Sequence, residues 1–387
     1  MKSMSKIMCL VVMMLATSLF ASAVQAGGSW TTFTHSCPGA NRTDALHRDA
    51  DGSLWVGCGT NASGYGLHAS FNDGASWDEV EVTPSALMNQ FRVFSISRGH
   101  DGALYVAGIQ NSSGNMVIRL DTTPNPPYPA SVTLSAVAQI GRQFQVGSYR
   151  ELSDGQAIAE SLTGTDLLYR PDSATGSSAA DWTIPATLQG QILSLVVHDD
   201  EFYGSGSTNS EPPRVYLPPQ GAGSPPYDFE RIDLDPFWEG ELEGVAANDQ
   251  RVVLTGIDQD LNIGKILVST GDPYSAANYL EHEFQDIVGT GGIGTWGRGV
   301  CMRGDRVVAV GERLPQGSSS GLAMASTDGG ATFIDITPPS PVPPSTISRC
   351  VIAPDGLVIV AGGSGFVGLY DGLQPGDSIF ADRFDQP

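Results

Sequence analysis

A turn signature that returns about every 50 residues constrains this chain more than any other feature. Its seven anchors are Asp51-Gly52, Asp101-Gly102, Asp154-Gly155, Asp199-Asp200, Asn248-Asp249, Gly304-Asp305 and Asp355-Gly356. After most of them comes a short apolar run closed by small residues, as in Leu54-Trp55-Val56-Gly57, Leu104-Tyr105-Val106-Ala107-Gly108, Val252-Val253-Leu254-Thr255-Gly256 and Val307-Val308-Ala309-Val310-Gly311. Asx/Gly pairs between β-branched runs are hairpin turns, because those residues tolerate the left-handed dihedrals a tight turn needs. A fixed period in this range excludes an ordinary mixed globule and leaves a solenoid, an array or a propeller.

One repeat, residues 298–336, resolves the choice. Apolar strands are expected at Gly299 to Met302, Val307 to Gly311, Leu322 to Ala325 and Ile334 to Ile336, joined by tight turns. Four such strands make one propeller blade. No segment of useful length has a 3.6-residue period, so little helix is expected. The reading is therefore all-β: a seven-bladed β-propeller of four-stranded antiparallel blades over residues 27–374. The last repeat offers three strands (about 349–353, 357–362 and 366–370), and an orphan strand stands at residues 29–34. The simplest closure has that N-terminal strand complete blade seven and cover its open edge. The third repeat, around Asp154, is the weakest, which leaves six or eight blades as alternatives.

Ser326-Thr327-Asp328-Gly329-Gly330-Ala331-Thr332-Phe333 resembles the Asp-box of sialidase-type (BNR repeat) propellers, and Ser70-Phe71-Asn72-Asp73-Gly74-Ala75-Ser76-Trp77 is a second copy with Asn72 in the Asp position. Degenerate versions occur at Ser269 to Asp272, followed by Tyr279, and at Asp172 to Trp182. The Asp or Asn side chain accepts hydrogen bonds from turn N–H groups, and the aromatic residue plugs the blade interior. The resemblance implies a secreted bacterial member of that superfamily, with the box on the turn between third and fourth strands, away from any chemistry.

Residues 1–26 read as a secretory signal: Lys2 and Lys6, an apolar stretch from Ile7 to Phe20, and small residues for cleavage near Ala26. No later segment reaches the roughly 18 apolar residues that span a bilayer. Losing Lys2 and Lys6 takes the formal charge from -22 to -24 and leaves Lys265 as the single lysine. Such a field repels phosphate backbones and anionic lipid, which argues against nucleic acid and membrane surfaces as partners. Cys37, Cys58, Cys301 and Cys350 remain, an even number that favours two disulfides in an exported chain. Of the three pairings possible, Cys37–Cys58 and Cys301–Cys350 each join neighbouring units. No pair has metal-type spacing, and no metal or cofactor is expected. Residues 375–387 read as a short acidic-aromatic tail outside the repeats.

In a propeller the innermost strands begin at one face of the central channel. Counting thirteen residues back from Gly256, Gly311 and Gly362 lands on Glu243, Arg298 and Arg349. Arg42 and Arg92 stand near the same height in blades one and two, with Glu241, Trp238 and Trp296 nearby. The candidate ligand-binding set is Arg42, Arg92, Glu243, Arg298, Arg349 and Trp296. Arginine forks bind carboxylates bidentately, and aromatic faces suit sugar rings. Sialidases use an arginine triad, a Tyr–Glu nucleophile pair and an acid/base Asp. Here Phe91-Arg92-Val93-Phe94 lacks the proline of their Phe/Tyr-Arg-Ile-Pro motif. No nucleophile is assignable beyond Tyr149 or Tyr203, and Asp44 is only a guess at the acid. The expectation is thus a secreted, monomeric, non-catalytic module binding a glycan or an extracellular protein. The alternatives are an exo-glycosidase of sialidase type acting on acidic sugars, and an assembly or scaffold factor.

Overall fold

The structure, a computed structural model, describes residues 28–35, 43–58, 66–84, 91–110, 114–121, 133–138, 146–161, 167–171, 181–184, 191–207, 212–221, 223–234, 239–289, 294–314, 320–339 and 345–373. The expected signal (1–26), the tail (375–387), Cys37, Arg42 and Trp238 lie outside them.

Seven sheets form, one per turn signature. Blade one comprises Thr43–Arg48, Leu54–Cys58, Leu67–Ser70 and Asp78–Glu79; blade six comprises Gly294–Arg303, Arg306–Leu314, Ser320–Ser326 and Ile334–Asp335. Blades four and five have the same four antiparallel strands. Blade seven is built from Ile347–Ile352, Val358–Gly362 and Phe366–Tyr370, and its fourth strand is Trp30–Thr34. Trp30 pairs with Tyr370 and Thr34 with Phe366, so the N-terminal strand closes the ring as the sequence predicts. Trp30 also stacks at 5.1 Å on Tyr370 and donates its indole N–H to the Ile336 carbonyl.

Two blades depart from four antiparallel strands. Blade two gains a fifth, Glu81–Thr83, which follows blade one and pairs in parallel with Thr133–Ala138. Among the described residues blade three has three strands, Val146–Glu151, Ala157–Ser161 and Leu167–Arg170, and a bridge from Tyr169 to Thr183 where the fourth would lie. The one α-helix among the described residues, Phe284–Val288, caps blade five and buries Phe284.

Seven separate apolar cores lie one at each junction between neighbouring blades. Strand geometry explains the sequence pattern. Side chains alternate sides along a strand, so Val308 and Val310 enter the core shared with blade seven, while Val307 and Ala309 enter the core shared with blade five. The second strand of each blade is buried on both faces, and a continuous apolar run replaces the polar alternation of a one-sided sheet.

The turn anchors behave as read. Asp51, Asp101, Asp154, Asn248 and Asp355 each accept the backbone N–H two residues on, at 2.9–3.1 Å. The run-closing glycines have a different reason from turn flexibility. A Cβ on Gly108, Gly206, Gly256, Gly311 or Gly362 would meet the carbonyl oxygen of Arg92, Gln191, Glu241, Trp296 or Thr346 at 1.8–2.1 Å. The innermost strand passes over the second one there too closely for any side chain.

Both Asp-box turns fold identically. The Ser70 and Ser326 hydroxyls accept from the N–H of Gly74 and Gly330, both at 2.8 Å, and Asn72 and Asp328 accept from the N–H of Ser76 and Thr332, both at 2.9 Å. Trp77 and Phe333 then plug inter-blade cores. The turns sit between third and fourth strands, remote from the channel. The Cys301–Cys350 disulfide joins the innermost strands of blades six and seven. Cys58 is disulfide-bonded as well, and Cys37, its expected partner, is outside the described residues.

Candidate functional site

The innermost strands of all seven blades line a central cavity of about 490 Å³. Its two ends differ in construction. One end carries the hairpin turns; the other carries a β-bulge in the innermost strand of at least five blades. The extra residues are Asp44, Phe94, Glu243, Arg298 and Ser348. A bulge re-aims a side chain out of the ladder, and this repeated bulge creates the candidate face.

Arg298 and Glu243 occupy bulge positions, as the count of thirteen implies. The Arg298 guanidinium donates to Glu243 at 2.7 Å and to Glu312 at 2.9 Å, and lies 3.7 Å over the Trp296 ring. Arg92 stands two residues before its bulge, donates to the fully buried Asp44 at 3.1 Å and lies 4.5 Å over Phe94. The two arrangements are the same stack with its order reversed: aromatic then arginine in blade six, arginine then aromatic in blade two. Residues two apart on a strand share a face, which puts cation over ring in both.

Arg349 falls one residue past its bulge. The hairpin of blade seven spans one residue more, with Ile347 opposite Gly362 where blade six has Gly297 opposite Gly311. The thirteen-residue count therefore overshoots Ser348. Arg349 turns into the channel and donates to the carbonyls of Arg298 and Ser348 at 3.1 and 2.8 Å. The three described arginines accordingly form no shared cradle: Arg298 and Arg92 are ion-paired on separate blades, and Arg349 spans blades six and seven; Arg42 is outside the described residues.

Sequence reasoning missed two further charged groups, Arg150 in the channel wall and Glu160 in the second strand of blade three. Arg150 donates to the Ser95 hydroxyl and its neighbour's carbonyl, both at 2.7 Å. Glu160 is 1% exposed, and neither carboxylate oxygen has a hydrogen-bond partner. Burial pushes its carboxyl up to about 8 against the opposing pull of Arg150 and Arg349. Burial likewise lowers Arg150 to about 10, with Glu160 opposing. A signal existed: Glu160 interrupts the small-residue ending that Ala107-Gly108, Thr255-Gly256 and Ala361-Gly362 share. Burial also raises Glu241, and the nearby Glu243 charge adds to it.

At the turn end, carboxylates are saturated. Asp49 accepts from Trp55 at 2.7 Å, His47 at 2.9 Å and Arg98 at 3.0 Å. Burial alone would raise its carboxyl, but the hydrogen bonds from His47 and Arg98 outweigh it and hold the group well below the usual range. Glu151 accepts from His100, Arg170 and Tyr149. Tyr149 ends the register shift in the innermost strand of blade three, but its ring is buried and stacked on Tyr105 at 4.7 Å, and its hydroxyl donates to Glu151. Tyr203 packs beside the core between blades four and five. Neither faces Glu243, and Asp44 is locked to Arg92.

Two groups have metal-ligand composition: His100, Asp101 and Glu151, and His35, Cys58 and His68. In the first, Asp101 and Glu151 are already bound by Arg119 and Arg170 at 2.7 and 2.6 Å. Among the described residues no helix is long and apolar enough to cross a membrane.

The ring of seven sheets and seven inter-blade cores makes this chain a seven-bladed β-propeller. No sequence family and no curated protein matches it. Solved structures with this architecture include YCF48 from Cyanidioschyzon merolae, 14% identical with a TM-score of 0.58 over 88% of this chain and 98% of that one. Virginiamycin B lyase from Staphylococcus aureus is 11% identical with a TM-score of 0.56 over 89% and 99%. The WD40 propeller domain of Doa1 is 12% identical with a TM-score of 0.51 over 88% and 95%. These likenesses concern the fold alone, and a fold of this kind carries binding, lyase and scaffold roles.

Proposed function

We propose that the protein is an exported, non-catalytic propeller that binds a glycan or an extracellular protein segment across its bulge face. The observation that carries this reading is the neutralisation of the face: Arg298 is paired with Glu243 and Glu312, and Arg92 with Asp44. A guanidinium held this way has little charge left for a substrate carboxylate. It is instead a rigid donor stacked on an aromatic plate, which suits hydroxyl and amide partners. A solved YCF48 propeller is described as bound to D1 peptide, which makes a peptide segment a natural first probe. Export is supported by the Cys301–Cys350 disulfide, a bond that persists in oxidising compartments.

The mature chain is screened on glycan and peptide arrays and then titrated by calorimetry. Trp296→Ala and Arg298→Ala should each weaken the leading ligand about 10-fold or more, as loss of a buried aromatic or arginine anchor does. Turnover of a fluorogenic sialoside that disappears in Arg298→Ala would overturn the non-catalytic reading. Binding unchanged by both variants would move the site off this face.

A further inference from the structure

We propose that His35, His68 and Cys58 form a buried site for a thiophilic metal ion, Cu⁺ or Zn²⁺, which opens when the Cys58 disulfide is reduced. All three side chains are at most 2% exposed, and their donor atoms lie within 4.8 Å of one another. The ring centroids of His35 and His68 are 5.2 Å apart. Neither ring nitrogen of His68 has a hydrogen-bond partner, and Nδ1 of His35 has none; only its Nε2 meets the Thr43 hydroxyl, at 3.3 Å. Three buried imidazole nitrogens without hydrogen-bond partners are costly, since such an atom forfeits its hydration. A metal ion would satisfy two of them at once. Imidazole with thiolate is the donor set that copper and zinc prefer, at bond lengths near 2.0–2.3 Å. Donors already this close need only small side-chain rotations to converge.

Cys58 is disulfide-bonded, so its sulfur is a poor ligand as it stands. A dithiol reductant breaks that S–S bond into two thiols and is itself closed to a disulfide. The incoming ion then displaces the Cys58 thiol proton to solvent. The site therefore exchanges one staple for another. It also lies at the ring closure: His35 directly follows the N-terminal strand and donates its backbone N–H to Gly365 in blade seven, while His68 belongs to the third strand of blade one. A bound ion would tie those two blades together and raise the melting temperature through linkage. The inference does not depend on what the bulge face binds.

The experiment titrates the full mature chain with Zn²⁺ and, separately, with Cu⁺ under anaerobic conditions, before and after reduction with a phosphine, whose oxide takes its oxygen from water. The reduced protein should bind one equivalent at least 100-fold more tightly than the oxidised protein. His68→Phe and Cys58→Ser should each lose that affinity at least 100-fold. Loss of the thiolate-to-metal charge-transfer band of a Co²⁺-substituted sample in Cys58→Ser gives a second readout. Circular dichroism checks folding, and if His68→Phe does not fold, His35→Asn carries the test. Equal affinity before and after reduction, or wild-type affinity in the folded variants, overturns the proposal.

Discussion

The two ends of the channel use the same residue types for opposite purposes. At the turn end, Asp49 and Glu151 each accept from three side chains, two of their own blade and one of a neighbouring blade (Arg98 to Asp49, His100 to Glu151), and their own exposure is slight. At the bulge end, Arg92 and Arg298 meet fewer partners, stack on aromatic rings and keep part of their surface in solvent, 34% for Arg92 and 11% for Arg298. Saturated, buried networks hold blades together, while an arginine stacked on a rigid aromatic plate keeps an edge open to a ligand, a wider one on Arg92 than on Arg298. The contrast teaches that charge alone does not mark a site; what matters is how many of its hydrogen bonds the fold has already used.

The largest effect expected is at the turn end. Asp49→Ala strands the Arg98 guanidinium and the Trp55 indole N–H, and should cost about 3–5 kcal/mol in urea unfolding. A cost under about 1 kcal/mol would erase the distinction between the two ends. Gly256→Ala forces a Cβ to 1.8 Å from the Glu241 carbonyl oxygen and should cost about 3 kcal/mol, because a backbone atom cannot step aside.

Glu160, buried in the second strand of blade three, supplies a pH test. Its carboxyl titrates at about 8 when folded, against an ordinary 4.5. As pH rises above 4.5 the unfolded chain releases this proton while the folded chain keeps it, so stability falls until about pH 8 and then levels. Glu160→Gln should therefore match wild type near pH 4 and exceed it at pH 8, by about 4 kcal/mol if the whole shift is realised. Melting curves across this window check it; parallel profiles would mean Glu160 is charged and satisfied at neutral pH. Asp49 contributes with the opposite sign. Its depressed carboxyl adds stability that is present above the ordinary carboxylate range and is lost as pH falls through the lowered folded value.

The smallest effect on stability belongs to the bulge face. Arg298→Ala should cost about 2 kcal/mol, since it leaves the largely buried Glu243 and Glu312 without their cation, while ligand binding falls about 10-fold. A stability loss as large as that of Asp49→Ala would make the face structural.

Much of the architecture is legible before folding. The Asx/Gly anchors, the doubly buried second strands, the Asp-box turns, the orphan strand at Trp30 and the Cys301–Cys350 pairing all follow from local chemistry at fixed spacing. Blade three resisted because, among the described residues, the single bridge at Thr183 stands where its fourth strand would lie. The candidate face was legible only in part. Counting from the glycines reached Glu243 and Arg298, but one added residue in the hairpin of blade seven displaced Arg349 from the bulge row into the channel.

The chain by itself determined seven blades and their closure, because turn dihedrals, period-two alternation and the glycines at strand crossings are set by residues close in sequence. Only the tertiary structure decided which arginines are neutralised, that Glu160 is buried without a hydrogen-bond partner, and that His35, Cys58 and His68 meet. Those outcomes depend on how strands from different blades stagger around the axis, where a shift of one residue exchanges a channel-facing side chain for a buried one.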